Sequence, residues 1–229
     1  MASLEELRAE RLKKLNLLKE AGYNPYPAQT EINHSIQEVV ANFDDLVGAE
    51  KEVTTGGRIM ALRRQGGLIF ADIFDNGESL QTLLKEDELG KAFELFAETI
   101  DMGDFIQVTG KLLVTKRGEK TIQVVSWKIL AKSLRPLPDQ WAGLQDEEER
   151  LRKRYLDILT NPEIRTIVEK RSVFWQTIRN FMLKRGFLEV DTPILENIPG
   201  GAEAKPFITH HNALDMDVYL RIAPELWLK

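Results

Sequence analysis

The sequence predicts an α+β protein of two domains: an N-terminal helix with a five-stranded barrel, then a helix-led domain built on an antiparallel sheet. Three observations predict it. Between residues 51 and 132, β-type and helical runs fall in the order strand, strand, strand, helix, strand, strand. Residues 133–150 (SLRPLPDQWAGLQDEEER) then break the periodicity with prolines and an acidic run, which reads as a linker. Finally, a long amphipathic run over 163–185 passes through Gly186 into a β-type segment stopped at Pro193.

Bulk properties agree with this division. At 229 residues the chain is long enough for two ordinary domains, and 43% hydrophobic with 29% charged residues is a globular composition. No window approaches the roughly eighteen apolar residues of a membrane span. The start, Met1-Ala2-Ser3-Leu4-Glu5-Glu6, lacks a basic region leading into an apolar core, so no signal peptide is expected. With no cysteine, disulfides, thiolate catalysis and zinc–cysteine sites are excluded together, and a cytoplasmic setting is expected. A net charge of −5 argues against a general nucleic-acid coat but not against a local basic patch.

Residues 1–50 form an N-terminal helix and extension. Ser3 with Glu6 makes a capping box, and Leu4, Leu7, Leu12, Leu15 and Leu18 recur near helical spacing over residues 3–21. Gly22 ends the run, and Asn24-Pro25-Tyr26-Pro27 cannot continue it. An amphipathic helix packed on its own protein is the plainer reading, with Lys13, Lys14 and Lys19 on a solvated outer side.

The barrel occupies residues 51–132. Its first strand runs through Arg58-Ile59-Met60-Ala61-Leu62 and turns at Arg63-Arg64-Gln65-Gly66-Gly67. Leu68 to Phe74 and Ser79 to Leu84 follow, joined at Asp75-Asn76-Gly77, a hairpin signal. Residues 86–100 are helical in pattern, and strands from 104 to 115 and from 120 to 130 complete the set around Lys116-Arg117-Gly118. That order is the order of an OB barrel, which offers its strand 2–3 face and two of its loops to oligonucleotides. Arg58, Arg63 and Arg64 border the first loop, and Lys116, Arg117 and Lys120 the second. Phe70 is a candidate stacking platform and Gln81 a candidate reader of a base edge. Alternation alone leaves open whether Phe70 faces solvent or core, and core is the competing reading.

In the second domain, 151–229, a short charged helix over 149–159 ends at Asn161-Pro162. The helix over 163–185 follows, with Gly186 as its C-cap, and Phe187-Leu188-Glu189-Val190 is expected as a strand. Gly200-Gly201 opens a loop, and a later strand is expected to carry Glu225 between Pro224 and Leu226. His210-His211 lacks a ligand cluster, so an ordering role is expected rather than metal binding. Asp215 and Asp217 read as a solvated edge, and Glu196 and Glu203 carry no specific signal.

The helix followed by Gly186-Phe187-x-x-Val190-x-Thr192-Pro193 resembles motif 1 of the class II aminoacyl-tRNA synthetases, where helix and strand build a dimer interface. Together with the preceding barrel, this narrows to the lysyl, aspartyl and asparaginyl branch. The run from Gly200-Gly201-Ala202 through Ala204-Lys205-Pro206-Phe207, Thr209-His210-His211-Asn212-Ala213-Leu214-Asp215 and Tyr219-Leu220-Arg221-Ile222-Ala223-Pro224-Glu225-Leu226 closely resembles the lysyl family. Arg135-Pro136-Leu137-Pro138 and Arg154-Tyr155-Leu156-Asp157 match it too. Two departures are Lys205, where arginine is usual, and Trp227, where tyrosine is usual.

The resemblance implies lysine–tRNA ligation: L-lysine is activated with ATP to lysyl-adenylate, then transferred to tRNA-Lys. It implies that Glu225 and Gly201 bind the lysine α-ammonium, and that Arg63, Phe70, Gln81 and Glu119 contact the anticodon. It further implies a homodimer through 163–193, with ATP and Mg2+ as co-substrate and metal. Their ligands, and every catalytic group, are expected beyond Lys229. Residues 151–229 then read as the start of a class II catalytic domain, without a metal site and inactive alone. The other reading is a stand-alone tRNA-binding and dimerisation module.

Overall fold

A computed structural model describes residues 3–49, 51–138 and 143–229 and divides into two units, Met1–Thr160 and Asn161–Lys229. Residues 139–142 of the expected linker lie outside the described residues. In the first unit, Ser3 starts α1 (Leu4–Glu20) as its spacing requires: its hydroxyl accepts from the Glu6 amide, and Glu6 accepts from the Ser3 amide at 2.7 Å. Leu15 and Leu18 are buried, while Leu4, Leu7 and Leu12 stay exposed. Lys14 is not on a solvated side, for it reaches Asp101 at 2.6 Å. Arg11 donates to the carbonyls of Met102 and Ser133, so α1 is held to the barrel by cations as well as leucines.

Two further helices, α2 (Ile36–Ala41) and α3 (Phe43–Gly48), occupy a stretch without an assigned element in the sequence reading. The signal is a second capping box, Ser35 with Glu38, and both side-chain to backbone bonds form. Ile36, Val39 and Phe43 join the barrel core.

The barrel consists of β1 (Val53–Gln65), β2 (Leu68–Asp75) and β3 (Glu78–Lys85), then α4 (Glu86–Leu89) and α5 (Lys91–Thr99), then β4 (Phe105–Val114) and β5 (Lys120–Ala131). It closes in the order β1-β2-β3-β5-β4, with β3 and β5 parallel and every other neighbour antiparallel. The helix expected over 86–100 is two helices, divided at Gly90. Asn76 and Gly77 both adopt positive φ, the conformation that matches a two-residue hairpin turn to the twist of its strands. Ile59, Ile69, Ile73, Ile106, Ile122 and Phe96 fill the interior.

Beneath this core lies an ionic cluster. Lys132, with no exposed side-chain surface, donates to Asp101 at 2.6 Å, Asp104 at 2.7 Å and the Thr99 carbonyl at 2.6 Å. Asp104 also accepts from the amides of Asp101 and Ser133. A buried ammonium requires such partners, because an unpaired ion inside a protein is strongly unfavourable. Burial holds the Asp104 carboxyl above its usual pKa despite Lys132. At Asp101 burial acts in the same direction, but hydrogen bonds from Lys132 and Lys14 more than offset it, and its pKa is lowered.

The unit ends with α6 (Glu147–Arg152) and α7 (Arg154–Thr160), where one helix was expected. Buried Asp157 accepts from Arg150 at 3.0 Å and Arg154 at 2.7 Å, joining the two.

In the second unit, Asn161-Pro162 starts a helix as well as following one. The Asn161 side chain accepts from the Glu163 and Ile164 amides and caps α8 (Pro162–Leu183), with proline tolerated in the first turn. A small antiparallel sheet follows from β6 (Leu195–Glu196), β7 (Ile208–His211) and β8 (Met216–Leu220), in the order β6-β8-β7, before α9 (Glu225–Leu228).

Two expectations are corrected. Residues 187–190 are not a strand, because no strand among the described residues pairs with them; the Phe187 N–H instead donates to the Met182 carbonyl at the end of α8, and Glu189 binds Arg179 on α8 at 2.8 Å. Glu225 opens a short helix rather than lying in a strand. Pro224 has no N–H to give a ladder, and its φ of −79° suits a helix entry. Among the described residues no helix is long and apolar enough to cross a membrane.

Candidate functional site

Alternation along β2 settles the position of Phe70. Ile69, Ala71 and Ile73 are fully buried in the barrel, so Leu68, Phe70, Asp72 and Phe74 lie on the outer face. Phe70 is half-buried there, with Arg63 of β1 opposite it on one side and Leu83 of β3 on the other. One step along, Asp72 lies opposite Gln81. Gln81 in turn accepts from the Thr121 hydroxyl at 3.0 Å, which fixes its amide at the β3–β5 seam.

Phe70 and Gln81 line an open groove of about 840 Å³ between the β1–β2 and β4–β5 turns, and Asp72 lines the adjoining concavity. Arg63, Phe70, Gln81 and Glu119 all border the groove, together with Lys116, Arg117 and Leu83. Glu119 stands in a closed turn, where its amide donates to the Thr115 hydroxyl and its carbonyl accepts from the Thr115 amide. The groove offers an aromatic face, an amide, a carboxylate and several cations within one concavity. Such a surface suits unpaired bases, which stack on rings while their edges are read by polar groups.

Two of the expected basic residues are occupied elsewhere. Arg58 lies over the Phe105 ring at 4.1 Å and donates to the Gly103 carbonyl; burial draws its pKa down. Lys120 donates to the Val40 carbonyl and sits 5.0 Å above the Phe43 ring, so it fastens α2 and α3 to the barrel. Arg63 is itself engaged, because its two terminal nitrogens donate to both carboxylate oxygens of Asp72, each at 3.0 Å.

The second unit brings Gly201 and Glu225 together. Gly201 has φ +87°, and a Cβ placed on it would come 3.2 Å from the Ala223 Cβ and 3.6 Å from the Glu225 Cβ. Only glycine allows the loop to lie this close in this conformation. The Glu225 carboxylate accepts the Lys229 ammonium at 2.5 Å, which displays its capacity for a primary ammonium.

His210 faces Asp217 at 3.0 Å and Asp215 at 3.3 Å across the β7–β8 hairpin, so both aspartates are partners of an exposed histidine. Among the described residues no group of three or more His, Cys, Asp or Glu is arranged to hold a metal ion. Glu196 is the residue the sequence did not mark. It is buried on β6 and accepts from the Trp227 indole at 2.7 Å. The only sequence signal was indirect, namely an indole where the resembled family has a phenol.

Comparison with known proteins adds two family matches. Residues 53–130 match the OB-fold nucleic acid binding domain, and residues 146–229 match class II tRNA synthetases (D, K and N). A lysine–tRNA ligase of Carboxydothermus hydrogenoformans is 50% identical over 99% of this chain. Those of Roseiflexus castenholzii and Clostridium perfringens are 47% and 48% identical, each over 99% of the chain. The chain spans about half the length of these relatives, between 45% and 47%.

Proposed function

We propose that this chain, which belongs to the class II tRNA synthetases of the D, K and N group, works within a lysine–tRNA ligase. The barrel reads the anticodon loop of tRNA-Lys, and the second unit holds the amino group of L-lysine. The observation that carries the reading is the groove that gathers Arg63, Phe70, Gln81 and Glu119 on one outer face. A base stacks on Phe70, and a uridine edge presents an N–H between two carbonyl oxygens. Glu119 accepts the former and the Gln81 amide serves the latter.

In the reaction, the lysine carboxylate attacks the α-phosphate of ATP and pyrophosphate leaves. The lysyl group then passes to the terminal ribose of the tRNA. Glu225 and the Gly201 backbone grip the α-ammonium and orient the carboxylate, so their contribution is positioning. ATP is the co-substrate, and Mg2+ would neutralise its phosphates. Neither is assigned a ligand in this chain. The exposed apolar residues of 163–193, among them Phe174, Trp175 and Phe187, are proposed to meet a second copy. A cytoplasmic location is proposed with the function.

Lysine-dependent ATP–pyrophosphate exchange tests the reading. The complete ligase carrying this sequence exchanges, and residues 1–229 alone do not. Robust exchange by residues 1–229 would overturn the placement of the phosphate-binding groups outside them. If no longer protein containing this sequence exchanges, a non-catalytic tRNA-binding module becomes the better reading.

A further inference from the structure

We infer that Asp72, which lines a concavity adjoining the groove and sharing Arg63, Gln81 and Glu119 with it, is a specificity-determining residue that converts Arg63 from a phosphate binder into a base reader. The inference rests on the barrel being an anticodon reader. A free arginine fork chelates phosphate readily, and such contacts carry affinity without sequence information. Here the fork is filled: Nη1 and Nη2 of Arg63 each donate to a different oxygen of Asp72 at 3.0 Å. Asp72 shares the outer face of β2 with Phe70, and Arg63 stands opposite Phe70 in the strand register. The guanidinium is therefore held at Asp72, one position along the outer face of β2 from Phe70, and Asp72 itself lies opposite Gln81 in the register. What remains for RNA is the guanidinium plane and its outer N–H groups, on the same outer face as Phe70. That is an arrangement for a stacked base. The carboxylate of Asp72 also repels a phosphate from the same spot, so the backbone is kept to the rim, where Lys116 and Arg117 are exposed.

The test uses residues 1–229 and two stem-loop RNAs, one with uridines in its loop and one with those uridines replaced by cytidines. Affinities are measured by fluorescence anisotropy over a series of salt concentrations. Asp72→Asn frees the fork, so binding to the two RNAs converges. The preference for uridine falls at least about fivefold, and the salt dependence steepens by about one phosphate contact. Asp75→Asn, which removes an exposed carboxylate from the same strand, controls for net charge and leaves both quantities near wild type. Arg63→Lys keeps the charge but cannot be held as a plane, and it loses the uridine preference as well. If Asp72→Asn melts like wild type and keeps both the preference and the salt slope, the inference is overturned. Should that variant misfold, retention of the preference by Arg63→Lys overturns it instead. Absence of any preference in the wild-type chain would instead defeat the anticodon reading on which the inference stands.

Discussion

Trp227 donates its indole N–H to Glu196 at 2.7 Å, while the second carboxylate oxygen of Glu196 is buried and has no hydrogen-bond partner among the described residues. Within the second unit the pair ties α9, which begins at Glu225, to β6. Trp227→Phe removes the donor and leaves the carboxylate wholly unpaired, at a cost of about 1–3 kcal/mol. Glu196→Gln keeps an acceptor for the indole and costs less. Chemical denaturation of both variants tests the order, and equal losses would show that the hydrogen bond is not what the pair contributes.

The proposed lysine α-ammonium site at Glu225 gives a second prediction. In a longer protein that carries this sequence and catalyses the proposed exchange, Glu225→Gln raises the KM for lysine about tenfold or more, the loss of a charge-assisted hydrogen bond. The KM for ATP stays unchanged. Pyrophosphate exchange at varied lysine and ATP separates the two, and an equal rise in both would argue against a specific ammonium site.

Phe70→Ala weakens binding of an anticodon stem-loop by about 1–3 kcal/mol, the usual range for one stacked base. Because the ring lies on the outer face, the variant folds with little loss of stability. Undiminished affinity in a folded variant would remove Phe70 from the interface.

Lys132→Met leaves buried Asp104 without an ammonium partner, while part-buried Asp101 keeps only Lys14. Stability falls by about 3–5 kcal/mol, as for other broken buried pairs, and the loss is read from thermal or urea unfolding. A loss under about 1 kcal/mol would mean that the carboxylates are relieved by protonation or water.

The same cluster fixes a pH dependence of opposite signs. Asp104 has a raised pKa when folded, so its contribution is greatest at low pH and declines as pH rises through that value. Asp101 has a lowered pKa when folded, so its contribution is present above its ordinary value, about 3.9, and is lost as pH falls through the folded value. Acidification from neutrality therefore gives a shallow gain before the loss. Asp104→Asn removes the gain and Asp101→Asn flattens the loss, both measurable by urea midpoints across pH.

Much of the barrel was legible because its signals are local. Asn76-Gly77 selects its own turn, Ser3 and Glu6 cap their own helix, and the β-type runs are separated by turn residues. Ser35 and Glu38 gave the same signal for α2, so that helix was readable as well. The strand at 187–190 was not, since a strand exists only where another backbone supplies donors and acceptors. Glu225 was misplaced because Pro224 serves equally to end a ladder and to begin a helix.

By itself, the sequence determined the order of elements, which follows from local periodicity and turn chemistry. A specific run of residues carried the family resemblance, and that resemblance is what singled out Arg63, Phe70, Gln81, Glu119, Gly201 and Glu225 as the residues to watch. Only the tertiary structure decided which face Phe70 occupies, because a period of two gives alternation but not its phase. It alone showed that Arg58 and Lys120 are spent on Phe105 and Phe43, that Arg63 is held by Asp72, and that Glu196 meets Trp227. Each of these is a contact between residues far apart in the chain or on different strands. Such contacts are fixed by closure of the barrel and by packing within the second unit.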